Sequence, residues 1–170
     1  MKRIFHLVAV FILVLSGCGY HLRGSETNLP PEIQSVAIPI FGNNTTQTGI
    51  EAEVTRALVD RFISSRRLPV NGSASADAIL SGTVLLFTTS PVAVTSSTQV
   101  STEYRATLTV QFIFKDQKTG RILFRETMND WRTYPVVNDL NATEQNKLAA
   151  IRQISVLLAD KIYELVLGGF

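Results

Sequence analysis

From Tyr104 to Lys115 two sets of side chains alternate without a break: Tyr104, Ala106, Leu108, Val110, Phe112 and Phe114 against Arg105, Thr107, Thr109, Gln111, Ile113 and Lys115. Only an extended strand, with successive side chains on opposite faces, sorts such a pattern into one apolar and one largely polar surface. A strand of this kind needs neighbours to pair its backbone and a cover for its apolar side. Asp116-Gln117-Lys118-Thr119-Gly120 reads as a turn into a partner strand of about Arg121 to Tyr134. If a five-residue turn pairs Lys115 with Arg121, the same register sets Gln111 opposite Arg125 and Arg105 opposite Trp131.

The remaining strands are shorter or less regular. A β-rich run spans Ala78 to Thr88, and Gly82 inside it predicts a bulge or a close backbone approach. Val36, Ile38 and Ile40 predict a strand ended by Gly42-Asn43-Asn44. Pro39 cannot donate to a ladder, which puts this strand at an edge or beside a bulge. Leu68-Pro69-Val70 fits a short strand, and Pro91 to Ser101 an extended loop or hairpin tip.

Two segments carry the helical period. Ile50, Val54, Leu58 and Phe62 recur every four residues with Ala57 beside them, and Thr48 with Glu51 three residues on has the form of a capping box, predicting a helix over 49–65. Leu148, Ile151, Ser155, Leu158, Ile162 and Leu165, widened by Ile154, Leu157 and Val166, predict a second helix capped at Asn141 with Glu144 and ended by Gly168-Gly169. These stripes read as core. The expectation is an α+β domain with two amphipathic helices packed on one face of a roughly four-stranded, mainly antiparallel sheet. With 170 residues, 45% apolar and 18% charged, the chain is sized for one such domain and is not disordered in composition.

Residues 1–17 read as an export signal: Lys2 and Arg3, an apolar run from Ile4 to Leu15, then Ser16-Gly17. This twelve-residue run, apolar but for His6, falls short of the ~20 that span a bilayer. The run ends at Cys18, the only cysteine of the chain, as a bacterial lipobox does, so Cys18 is the predicted lipidation site and no other cofactor is expected. Gly19 follows it where Asp resembles an inner-membrane retention signal, which favours the outer membrane with the domain facing the periplasm. Residues 18–31 read as a lipid-attached tether and 32–170 as the single folded domain. Removing Lys2 and Arg3 from the sixteen basic residues leaves fourteen against fourteen acidic, a balance with no pull toward nucleic acid.

Catalytic chemistry has little to work with. His6 leaves with the signal, and His21 beside the lipidated end is the one histidine remaining. That excludes a nucleophile–histidine pair inside the fold, and a lone cysteine excludes disulfides and thiolate zinc sites. No phosphate loop or two-histidine metal spacing is present, so the expectation is a binding or structural protein and not an enzyme. Asn43-Asn44-Thr45 and Asn141-Ala142-Thr143 match glycosylation acceptors only by coincidence behind a bacterial lipobox.

The segment Cys18-Gly19-Tyr20-His21-Leu22-Arg23-Gly24 resembles the start of the mature LPS-assembly outer-membrane lipoproteins, the LptE (RlpB) family. It is joined by Val36-Ala37-Ile38-Pro39-Ile40-Phe41-Gly42-Asn43-Asn44-Thr45, by Gly49-Ile50-Glu51 with Val54-Thr55-Arg56-Ala57-Leu58, and by Glu103-Tyr104-Arg105-Ala106, in that family's order. The resemblance implies a two-helix, roughly four-stranded fold seated as a plug inside an LptD-type β-barrel, in a complex that carries lipopolysaccharide to the outer leaflet. Relatives touch lipopolysaccharide through basic residues before the long strand and before the last helix; Thr95 to Gln99 and Asn138 to Ala142 hold no Lys or Arg here, so no residue is carried over.

The candidate lipopolysaccharide contacts come instead from the sheet's open face. The predicted hairpin puts Arg105, Lys115, Arg121 and Arg125 on it with no carboxylate between them, and Trp131 beside Arg105. Such a surface suits phosphate and flat apolar contacts together; it equally fits a solvated sheet face. The expected partners are the barrel, lipopolysaccharide and the membrane through the N-terminal lipid. The alternative is a stand-alone, periplasm-facing lipoprotein that binds a glycan or another envelope component.

Overall fold

The computed structural model describes residues 29–94 and 101–168. Residues 1–28, with the expected signal, the predicted lipidation site Cys18, His21 and most of the expected tether, and the stretch 95–100 lie outside the described residues.

The long alternating strand is central. It becomes β4 (Ser101–Asp116), between β3 (Ala78–Val94) and β5 (Ile122–Pro135), and both pairings are antiparallel. Two short strands, β1 (Val36–Ala37) and β2 (Gly42–Asn43), pair in parallel with β3, giving a sheet of five strands that is mixed where four mainly antiparallel ones were expected. The predicted strand through Pro39 is thus two pieces on the sheet edge, interrupted around the proline. Val70 makes only an isolated bridge to Val36.

Residues 38–41 leave the sheet, and their backbone needs partners elsewhere. Helix α1 (Ile50–Ser65) supplies one: the Thr55 hydroxyl accepts the Phe41 N–H at 3.0 Å while donating to the Glu51 carbonyl at 2.7 Å. Phe41 itself lies on Gly82. A Cβ there would stand 2.3 Å from the Phe41 ring and 2.6 Å from the Gln111 carbonyl, so Gly82 marks the close approach its position predicted.

Helix α1 covers the predicted 49–65 except for its first residue, and Ile50, Val54, Leu58 and Phe62 are all buried. Its N-cap is Gly49 in the left-handed region with no side-chain cap bond, so the expected Thr48–Glu51 capping box does not form. Glu51 instead accepts from the Asn43 side-chain amide at 2.7 Å, fastening the helix to β2. Helix α2 (Leu140–Gly168) has 29 residues, ~43 Å at 1.5 Å per residue. It starts one residue before the expected Asn141 because Asp139 caps it, its carboxylate accepting from the N–H groups of Asn141 and Ala142.

The two helices pack on each other through Phe62 edge-on to Tyr163, and Arg61 lies over the Tyr163 ring 3.8 Å from its centroid. Beneath them Ala106, Leu108, Val110, Phe112 and Phe114 of β4 are fully buried with Ile151, Ile154, Leu158 and Ile162 of α2. Both helices thus serve one face, and the opposite face is open.

A bulge decides how β3 divides between the faces. Val84 pairs with Val110 and Leu86 with Thr109, so Leu85 is the extra residue. Ala78, Leu80 and Val84 point to the core; past the bulge Phe87 takes over that side and Leu86 turns outward, 54% exposed.

Candidate functional site

The open face is built from the outward side chains of three long strands. In successive rows it sets Ser90, Arg105 and Thr133 side by side, then Thr88, Thr107 and Trp131, then Leu86, Thr109 and Asn129, then Thr83, Gln111 and Thr127, then Ser81, Ile113 and Arg125, and finally Ile79, Lys115 and Ile122. Threonine dominates, and no carboxylate lies between Arg105 and the β4–β5 turn. Glu103 stands at the far end of the face, opposite Pro135.

The expected cation–ring contact is present. The Arg105 guanidinium lies 4.3 Å from the centroid of the Trp131 ring, which is 46% exposed. Its origin differs from the expectation, because Arg105 faces Thr133 and Trp131 faces Thr107. The two are diagonal neighbours, within reach for side chains this long.

Gln111 likewise faces Thr127, not Arg125, and Lys115 faces Ile122, not Arg121. Two local features account for this two-residue shift. The hairpin closes between Asp116 and Arg121, whose N–H and carbonyl bond at 2.9 Å, and Leu123 is bulged out between Lys115–Ile122 and Phe114–Phe124. A slip of one reverses the faces, and before the bulge that is the slip: Ile122 takes the open face beside Lys115, and Arg121, expected there, stands opposite Asp116, whereas beyond the bulge the slip of two leaves the side chains of β5 on the predicted side.

Asp116 shapes the turn. Its carboxylate accepts the Thr119 hydroxyl at 2.6 Å and the backbone N–H groups of Lys118 and Thr119, bonds that hold it below its ordinary pKa, while Gly120 takes a positive φ of 73°. Lys118 reaches across to Asp77, 2.8 Å away, and Asp77 also accepts from the Ser35 hydroxyl and the Gln34 N–H. These contacts, led by Lys118, bring the Asp77 carboxyl down from 3.8 to about 2. At the other end of the sheet the Tyr134 phenol is pushed up by burial, against a bond to Thr89 that acts the opposite way.

The five candidate residues therefore fall into two groups. Arg105 and Trp131 form one. Lys115, Arg121 and Arg125 form the other, eight residues or ~27 Å of strand away at the turn. Arg121 precedes β5 and rims a notch of about 350 Å³ lined by Leu29, Pro30, Ile122, Leu123 and Phe124. Leu86 and the outward threonines of β3 and β5 were not among the expected site residues. The bulge at Leu85 hides the phase of β3, while the threonine alternation in β4 is visible in the sequence.

Among the described residues no cluster of three or more His, Cys, Asp or Glu could hold a metal, and no helix is long and apolar enough to cross a membrane. What the face offers is hydroxyl and guanidinium donors around one exposed indole on a sheet of three long strands. Chemically these groups can donate to phosphate or sugar oxygens.

Two helices on one side of a sheet whose other side is open make this an α+β domain of a kind found in bacterial lipoproteins. The fold is shared with the uncharacterized lipoprotein B of Nitrosomonas europaea, at a TM-score of 0.54 and 17% identity over 88% of this chain and 91% of that one. It is shared too with the rare lipoprotein B of Shewanella oneidensis (0.53, 13% identity, 75% and 91%) and a minor lipoprotein of Acinetobacter baumannii (0.51, 18%, 79% and 92%). No curated protein sequence matches the chain. The family described as Lipopolysaccharide-assembly, LptE, matches residues 33–165, well over half of the chain, and the chain belongs to that family.

Proposed function

We propose that this protein is an outer-membrane lipoprotein, acylated at Cys18, that partners and plugs an LptD-type β-barrel and assists assembly of lipopolysaccharide into the outer leaflet. The observation that carries the proposal is the family match across residues 33–165, which takes in both helices but for the last residues of α2 and the whole sheet. The geometry supports it. A plug needs a broad surface more than a cleft, and the open face runs across three strands of fourteen to seventeen residues. No catalytic role is proposed. The lipid on Cys18 attaches the protein to the membrane; one acyl chain binds only marginally, and several on one cysteine hold stably.

Lipopolysaccharide contact is assigned to the two groups separately: Arg105 with Trp131 for a phosphate beside a sugar or apolar surface, and Lys115, Arg121 and Arg125 for phosphate alone. Depletion of the protein in its host is the test. Surface lipopolysaccharide should fall while newly made lipopolysaccharide accumulates behind the outer leaflet. Unchanged delivery on depletion would contradict the proposal and favour a stand-alone envelope-binding lipoprotein.

A further inference from the structure

β5 is the outer strand of the sheet, and only β4 pairs with it. In an antiparallel ladder alternate residues bond to the neighbouring strand, and those between turn their N–H and C=O the other way. Val136 donates to the Thr102 carbonyl of β4, so the even-numbered residues past the bulge bond inward, and Arg125, Thr127, Asn129, Trp131 and Thr133 turn their backbone groups outward. Toward Pro135 this edge is already closed. The Asp130 carboxylate accepts the Trp131 N–H at 2.8 Å, the Arg132 guanidinium donates to the Trp131 carbonyl at 2.9 Å, and the Asn146 side chain donates to the Pro135 carbonyl at 3.0 Å. The outward groups of Arg125, Thr127 and Asn129 have no partner among the described residues. A bare stretch of edge is a template for another strand.

The chain itself arrives at this stretch. Leu29 and Pro30 line one notch with Ile122, Leu123 and Phe124, and Leu29 packs against the core. A segment leading into Leu29 along the bare edge runs antiparallel to β5. Alternation then fixes its faces from Leu29: Thr27, Ser25 and Arg23 share the core side, while Asn28, Glu26 and Gly24 share the open side and turn their N–H and C=O toward Arg125, Thr127 and Asn129. The charges agree with this phase. On its core side β5 carries Glu126 and Asp130, which suits Arg23; the opposite phase would set Glu26 against both carboxylates. Pro30 and Pro31, without N–H groups, mark where such pairing ends.

We infer that residues 23–28 of this chain add to the free edge of β5 as a sixth, antiparallel strand. The added strand closes the edge to foreign strands and shortens the leash on the anchor. Between Cys18 and Arg23 lie at most ~18 Å of chain, against ~40 Å for the eleven residues to Leu29. The open face stays free for the barrel, and the pairing needs neither barrel nor lipid, so it stands or falls apart from the proposed function.

The test is amide hydrogen exchange, read by NMR on the full acylated lipoprotein in detergent and on two proline variants. Gly24→Pro removes a donor that faces β5; Ser25→Pro alters a position whose N–H points away from it. The Thr127 and Asn129 amides should exchange roughly tenfold or more faster in Gly24→Pro than in the parent, and Ser25→Pro should stay near the parent. Slow exchange at Leu108 and Val110, in the middle of β4, reports that each variant is folded. Rapid exchange at Thr127 and Asn129 in the parent would overturn the inference, since the edge would be bare. Equal release by both prolines would overturn the phase set by Leu29. Protection that survives Gly24→Pro, or that is lost on dilution of the parent, would also overturn it, by giving the edge to another protein's strand or to a second copy of this chain.

Discussion

Phe112 is fully buried at the middle of β4, between Gly82 on one side and Glu126 on the other. Truncating it leaves a cavity in a packed layer, so Phe112→Ala should cost about 3–5 kcal/mol in urea unfolding. Thr109, three residues away on the open face, should cost under about 1 kcal/mol as alanine. Similar losses at both positions would contradict the assignment of faces. Asp77 makes a different prediction. Its pKa falls from 3.8 to about 2 on folding, so its contacts stabilise the fold at pH above 3.8, and that contribution disappears as pH drops through about 2. Asp77→Asn should therefore be less stable than the parent at neutral pH, with the gap closing between about pH 4 and pH 2 in melting experiments. A gap that widened on acidification would have the wrong sign.

At the scale of elements, period was legible and closure was not. The four-residue stripe of α1 identified that helix nearly to the residue and the alternation identified β4 from Tyr104 on, three residues after its start, because burial on one face writes itself into every second or every third to fourth position. Turns and bulges leave no such repeat. Moving the hairpin closure to Asp116–Arg121 and bulging Leu123 displaced the register by two along most of β5, and the bulge at Leu85 set the phase that sends Leu86 outward, which the β-rich run did not mark. Helix ends were misjudged for the same reason, since several polar residues compete for each cap. The structure chooses Asp139 for α2 and no side chain for α1. Asp139→Ala should accordingly destabilise the fold by about 1 kcal/mol, whereas Thr48→Ala should be nearly neutral. Thermal melts of the two variants separate the readings; a loss at Thr48 matching that at Asp139 would restore the capping box.

At the scale of the molecule, the helices, the open face and the family are consistent with one another, and the candidate site divides in two. That division was hidden in the sequence: Arg105, Lys115 and Arg125 share a face by parity, but their place along it, and the displacement of Arg121 to the side of Asp116, depend on a register set by the turn and its bulge. Only the pairing of Arg105 with Trp131 survived the shift, because diagonal neighbours also touch. The proposed role rests on a barrel partner, and the most direct test is affinity purification of the protein after detergent extraction from its own envelope. One outer-membrane β-barrel should come with it in equal amount and persist through high salt, since the contact is broad and not purely ionic. Recovery of the lipoprotein alone, or with trace barrel that salt removes, would contradict the account.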